Sequence, residues 1–208
     1  MLVVGRICYV NSMSERSPVC RGYTVSAYFD LVRQGLLVED DHVELLDGVI
    51  VSEPPMDPPH ATGIEATGDV LRRALAGRAW VREQKPLVIG DSSVPEPDLA
   101  VLGGSFHDYE GRHPSTALLV VEVSDSSLPQ DRLSKSRIYA GAGIAEYWIV
   151  NVRHDCLEVY REPDVAQRVY AGRRTLQRGE RIALVAFPEV SLAVDDLLPR
   201  PPLRRVDD

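Results

Sequence analysis

The chain has 208 residues, of which 44% are hydrophobic and 26% charged, a composition sufficient for the core of one α/β domain. A net charge of -8 argues against a protein that coats nucleic acid, because such proteins carry a net basic footprint. The three cysteines, at positions 8, 20 and 156, form no CxxC pair, which favours a reducing, cytoplasmic compartment. The apolar stretch 1–10 is too short to span a bilayer, so no membrane association is expected.

Residues 1–20 are expected to form a flexible arm, residues 21–198 a single domain, and residues 199–208 a frayed tail. Within the domain, hydrophobic periodicity, caps and turn residues predict a series of elements. In chain order these are a helix at 25–33 capped by Thr24, a hairpin at 42–52 turning at Asp47-Gly48, a rigid proline-rich connection at 54–59, a helix at 60–76, strands at 80–84, 86–89 and 94–102, a loop at 103–114, a buried strand at 117–123, a helix at 131–142, and strands at 145–150, 156–160, around 169, 182–186 and 190–194.

Two carboxylates stand in positions where burial is costly. Glu122 belongs to the almost unbroken aliphatic run 117–123, which is typical of a central strand buried on both faces. Asp98 heads a neighbouring strand, and burying either group as an ion costs several kcal/mol unless a cation or donors compensate. Because two converging carboxylates repel unless they share a proton or a metal, the pattern favours a hard divalent cation, Mg²⁺ or Mn²⁺.

Lys135 is the third candidate, since the 23 basic residues include only two lysines, Lys85 and Lys135. A lysine retained on the helix that follows the Glu122 strand suggests a task for a compact ammonium. Arg132 and Tyr139 lie three and four residues away and are expected to share its helix face.

The order of these motifs resembles the Uma family (Uma-two type) of restriction endonucleases, a branch of the PD-(D/E)XK nuclease superfamily. The resemblance covers roughly residues 23–198 and is carried by the following motifs: Glu44-Leu45-Leu46-Asp47-Gly48, Pro97-Asp98, Glu122-Val123-Ser124, Lys135 with Tyr139, Gly143-Ile144-Ala145-Glu146-Tyr147-Trp148-Ile149-Val150-Asn151, and Phe187-Pro188-Glu189-Val190. It implies an α/β fold with a restriction-endonuclease-like mixed sheet flanked by helices and extra hairpins. It also implies a metal-dependent endonuclease that hydrolyses phosphodiester bonds in nucleic acid, with DNA the first expectation, and it is compatible with a homodimer.

The resemblance assigns the residues as follows: Asp98 and Glu122 as metal ligands, the Val123 carbonyl as a further candidate ligand, Lys135 as the group that stabilises the attacking hydroxide or the transition state, Glu44 as an accessory acid that holds a water or second ion, and Tyr139 and Ser124 as accessory residues. Ser124 takes the superfamily's usual lysine position, two residues after the glutamate, so Lys135 resembles a migrated counterpart. His60 is expected to be a helix or loop residue, although the family often places a histidine near it.

Two alternatives to an active nuclease stay open. The first is a non-catalytic interaction module that retains the fold, favoured by the acidic net charge. The second is a structural salt-bridge cluster in an unrelated α/β protein, in which Glu122 would pair with Lys135 or an arginine without metal. Carboxylates within about 4–5 Å of each other, with the ammonium beside them, would support the enzyme, whereas diverging side chains would support the module.

Overall fold

A computed structural model describes residues 22–53, 55–125 and 127–199. The arm predicted at 1–20 lies outside these ranges, as does the tail predicted at 199–208 apart from its first residue. The helices are α1 (Val25–Arg33), α2 (Pro58–Ala74), α3 (Leu128–Gln130), α4 (Ser136–Gly141) and α5 (Val194–Leu197). The strands are β1 (Val43–Leu46), β2 (Val49–Ser52), β3 (Ala79–Glu83), β4 (Leu99–Gly103), β5 (Leu119–Ser124), β6 (Glu146–Asn151), β7 (Cys156–Asp164), β8 (Val169–Gln177), β9 (Arg181–Ala183) and β10 (Ser191–Ala193).

A six-stranded mixed sheet in the order β3-β4-β5-β6-β7-β8 forms the centre of the fold. All its neighbouring strands are antiparallel except β5 and β6, which run parallel. A parallel pair needs a crossover connection, and here the helical segment 128–141 supplies it. We call this segment the crossover helix; the mixed α/β architecture expected from the resemblance is confirmed.

Each face of the sheet is covered by a different layer. On one face, apolar side chains of β4, β5, β6 and β7 pack against α2, α5 and the β9–β10 hairpin. On the opposite face, the crossover helix and the β1–β2 hairpin cover Val120, Ile149 and Tyr160. Strand β5 is therefore buried from both sides, as its aliphatic run predicted. None of the helices in the described ranges is long and apolar enough to cross a membrane.

Local turn and cap chemistry explains several elements. Thr24 caps α1 by accepting a hydrogen bond from the Ala27 amide, as predicted. The β1–β2 hairpin turns at Asp47-Gly48, where φ is 47° and 83°, and glycine adopts such positive values without strain. The structure confirms both predictions, each of which rests on a signal within a few residues of sequence.

Four expectations require correction. The strand predicted at 94–102 begins only at Leu99, just after Asp98, and Val94 forms an isolated bridge with Leu45 instead. The proline-rich connection ends earlier than predicted, since Pro58 and Pro59 form the first turn of α2, where a missing amide costs nothing. The strand expected at 86–89 is absent from the described sheet and leaves only the Ile89–Ser93 bridge. The crossover helix contains a π-helical turn, Asp131–Lys135, ahead of α4.

Candidate active site

Asp98 and Glu122 meet across two adjacent central strands. Leu99 of β4 pairs with Val121 of β5 in antiparallel register, so the next step along each strand places Asp98 opposite Glu122. Side chains directly opposite in such a pair have Cβ atoms about 5 Å apart. Both are buried, with 7% and 3% of their surface exposed, and the charge of Asp98 contributes to raising the pKa of Glu122.

Asp98 is fixed from two directions. The Val123 amide donates a hydrogen bond of 2.7 Å to its Oδ2. His60 Nε2, near the start of α2, lies 3.1 Å from both of its carboxylate oxygens. The N–H and C=O of a strand residue point to the same side, so the Val123 carbonyl is directed toward the Asp98 side of β5. Burial alone would lower the pKa of His60, but the hydrogen bond to Asp98 and the charges of Asp98, Asp57 and Asp131 together outweigh it and raise this pKa.

Glu122 is held by two residues of the crossover helix. The Tyr139 hydroxyl donates to its Oε1 over 2.7 Å, and Lys135 Nζ lies 3.3 Å from its Oε2. Burial raises the pKa of Glu122 well above its ordinary value, and the nearby Lys135 ammonium only partly opposes this effect. Tyr139 therefore contacts Glu122 directly.

Lys135 Nζ is surrounded by carboxylates. It lies 3.0 Å from Glu44, 3.3 Å from Glu53 and 3.3 Å from Glu122. Burial would lower the pKa of Lys135, but Glu122 and Glu44 more than compensate, and the ammonium keeps its charge well beyond its usual range. Ser124, at the end of β5, is fully buried and accepts a 3.4 Å hydrogen bond from the Ser127 hydroxyl.

Glu44 reaches the site from β1. Its Oε1 accepts a 2.6 Å hydrogen bond from the Glu96 amide, whereas its Oε2 is buried without a hydrogen-bond partner among the described residues. Burial raises the pKa of Glu44 to about 7, against the opposing effect of Lys135. Glu44 is therefore a core member of the cluster and does not face water.

Three site residues were not predicted from the sequence: His60, Glu53 and Asp131. Asp131, at the start of the π-helical turn, is buried and accepts a 2.7 Å hydrogen bond from Ser127. Burial raises the pKa of Asp131, although Lys135 opposes the shift. The only sequence signal for Asp131 is a carboxylate at the first position of the predicted helix.

Arg132 was expected to share a helix face with Lys135, but it binds a different carboxylate. It pairs with Glu158 on β7, two strands from Glu122. Side chains of the crossover helix therefore contact two separate carboxylates, Glu122 and Glu158. Lys135 and Tyr139 contact the first, and Arg132 contacts the second.

The charges around Lys135 leave the site short of positive charge. Five carboxyl groups converge on one ammonium and one imidazole; they are Glu44, Glu53, Asp98, Glu122 and Asp131. Within the described ranges no three His, Cys, Asp or Glu side chains form a ready-made metal cage. Mg²⁺ commonly binds through only one or two carboxylates and keeps several waters, so Asp98, Glu122 and the Val123 carbonyl fit such an ion.

The six-stranded mixed sheet and the helices that flank it define a restriction-endonuclease-like α/β protein. The family model described as "Putative restriction endonuclease", Uma2, matches residues 27–195, and the chain belongs to this family. A crystal structure described as "a putative nuclease belonging to DUF820 from Anabaena variabilis" is similar in fold, with a TM-score of 0.63 and 16% identity. The similarity covers 84% of this chain and 97% of that one. No curated protein matches the sequence.

Proposed function

We propose that this chain is an endonuclease that hydrolyses phosphodiester bonds in nucleic acid, DNA in the first place, with Mg²⁺ or Mn²⁺ as cofactor. The observation that carries the proposal is the placement of Asp98 opposite Glu122 with Lys135 Nζ 3.3 Å from Glu122, in a site with excess negative charge. Membership of the restriction endonuclease family supports the same conclusion.

Asp98, Glu122 and the Val123 carbonyl would hold the ion. When bound, it would supply Lewis acidity: activation of a water near neutral pH and neutralisation of charge on the phosphate. All three donors are oxygen atoms, the ligand type that Mg²⁺ and Mn²⁺ prefer.

The protein's own side chains would position and polarise the reactants. Lys135 would donate from its ammonium to the attacking water or to a phosphate oxygen, where charge grows in the transition state. Tyr139 holds the Glu122 carboxylate in place through its 2.7 Å hydrogen bond. Glu44 keeps Lys135 protonated, and its unpartnered Oε2 is available to accept a hydrogen bond from a water.

Divalent-metal titration of the apo protein, combined with cleavage assays on plasmid DNA and structured RNA, tests the proposal. We expect wild type to bind Mg²⁺ and to cut, and Asp98→Ala to bind it weakly and to lose about 10²–10³-fold in cleavage rate. Asp69→Ala is the matched control, because Asp69 is an exposed α2 residue paired with Arg73. Nucleic-acid binding that needs no metal and leads to no cleavage, with Asp98→Ala equal to wild type, would establish the interaction module instead.

A further inference from the structure

Among the residues that the structure describes, three carboxylates enclose the Lys135 ammonium. An ammonium carries three N–H bonds, and three carboxylates, those of Glu44, Glu53 and Glu122, lie 3.0 to 3.3 Å from Nζ. Because the Lys135 side chain is only 4% exposed, contact with a substrate phosphate or an attacking water requires one of these carboxylates to move away. The anchoring of each partner identifies which one is free to do so.

Glu44 and Glu122 are each held by a second bond. Glu44 accepts from the Glu96 amide, and Glu122 accepts from the Tyr139 hydroxyl. Both side chains project from strands, and no more than 4% of either is exposed. Releasing either of them would leave a buried carboxylate without its cation, which is costly.

Glu53 differs from both in exposure and in anchoring. It lies one residue beyond β2, and its side chain is 35% exposed. Its backbone is fixed by a 2.8 Å hydrogen bond from its amide to the His42 carbonyl, but among the described residues its carboxylate contacts only Lys135. The side chain can therefore rotate into water while the backbone stays in place.

We propose that Glu53 is an exchangeable partner of Lys135: in the free protein its carboxylate occupies the place that a substrate phosphate oxygen takes on binding. This inference rests on the proposed phosphodiesterase function. Glu53 acts through Lys135 and is a positioning residue. It keeps the ammonium charged and oriented before substrate arrives, and it lowers apparent affinity because it must be displaced.

The scarcity of lysine provides a direct spectroscopic test. With ¹³C-labelled lysine, the chain gives side-chain signals from only Lys85 and Lys135, and the exposed Lys85 is an internal control. We expect Glu53→Ala to shift the Lys135 Hε–Cε signal and to leave the Lys85 signal in place. Glu83→Ala is the matched control, because Glu83 is a similarly exposed glutamate paired with Arg72, and it should move neither signal.

Ligand binding supplies the second measurement, with thymidine 3′,5′-bisphosphate and Mg²⁺ as the probe because it has phosphates but no internucleotide bond to cut. We expect Glu53→Ala to bind it about two- to fivefold more tightly than wild type, since a half-exposed ion pair is worth less than about 1 kcal/mol. In cleavage, KM should fall by a similar factor while kcat does not decrease.

An unshifted Lys135 signal, or a probe affinity that is unchanged or weaker in Glu53→Ala, overturns the inference. Weaker binding would make Glu53 part of the ligand set. Failure of the proposed function gives a different result, because the probe would then bind neither wild type nor variant. Thermal unfolding of each variant confirms that the comparison is between folded proteins.

Discussion

Two buried glutamates on the same face of the sheet have opposite electrostatics. Glu122 on β5 pairs in register with Ile149 on β6, which pairs with Glu158 on β7. The two glutamates therefore lie two strands apart, about 10 Å, under the same crossover helix. Their exposures are 3% and 1%, so burial alone cannot distinguish them.

Glu158 is fully compensated. Arg132 and Arg173 pair with it, and Asn151 and Tyr160 donate hydrogen bonds of 2.8 and 2.9 Å. Burial alone would raise the pKa of Glu158, but these donors, Arg132 foremost, lower it to about 2. Two guanidinium groups for one carboxylate complete a structural cluster that has no need of a further cation.

Glu122 is compensated only in part, because it shares one ammonium with Glu44 and Glu53. Its pKa moves upward, the opposite direction to that of Glu158. The comparison teaches that a buried carboxylate marks a functional site when the cations around it are too few. This deficit, more than burial, supports the proposed metal.

The largest expected effect is on the cleavage rate, which should fall when Glu122 is changed but not when Glu158 is changed. Glu122→Gln should lower the cleavage rate by about 10²–10³-fold, because it removes a proposed metal ligand. Glu158→Gln should keep cleavage within a few-fold of wild type but cost about 2 kcal/mol of unfolding free energy, since charged hydrogen bonds are lost. Cleavage assays and urea unfolding measure the two quantities. Equal losses of activity in both variants would contradict the division of roles.

A smaller effect, on Mg²⁺ affinity, is expected when His60 is changed, because His60 contacts both oxygens of Asp98. Groups that orient a metal ligand typically contribute 10–100-fold to metal affinity. We expect His60→Ala to weaken Mg²⁺ binding by that factor in calorimetric titration. His107→Ala is the control, since His107 is exposed and pairs with Glu110. Unchanged Mg²⁺ affinity in His60→Ala would show that the Val123 amide alone orients Asp98.

The parts predicted from sequence are those with local signals. The Asp47-Gly48 hairpin and the aliphatic β5 run follow from turn chemistry and strand composition over a few residues. Asp98 and Glu122 stood out because a carboxylate in or beside an apolar strand needs compensation, and Lys135 stood out because the chain has only two lysines. The structure places Lys135 beside Glu122, while the metal-binding and catalytic roles of all three residues stay predictions.

The parts that were missed depend on long-range contacts. His60 and Asp98 are 38 residues apart, and Glu53 and Lys135 are 82 apart, so neither pairing has a sequence spacing that reveals it. The π-helical turn Asp131–Lys135 is also invisible to a 3.6-residue period. In each case packing of the hairpin, α2 and the crossover helix against the sheet decides which side chains meet.

The smallest expected effect is on the pH dependence of the free energy of unfolding in the metal-free protein. Glu44 has a folded pKa raised from 4.5 to about 7, so the folded state binds the extra proton, and stability should fall as pH rises between these values. Glu158 has its pKa lowered from 4.5 to about 2. Its contribution to folding stability is therefore present above pH 4.5 and is lost as the pH falls toward 2.

Urea midpoints measured at intervals from pH 2 to 8 should therefore separate the two clusters. Glu44→Gln should flatten the decline between pH 4.5 and 7, and Glu158→Gln should flatten the rise between pH 2 and 4.5. Saturating Mg²⁺ should reduce the decline on the alkaline side, because an ion that binds only the folded state stabilises it and favours ionised ligands. Identical profiles for both variants would mean that the two clusters titrate as one unit, which would remove the electrostatic distinction between Glu122 and Glu158.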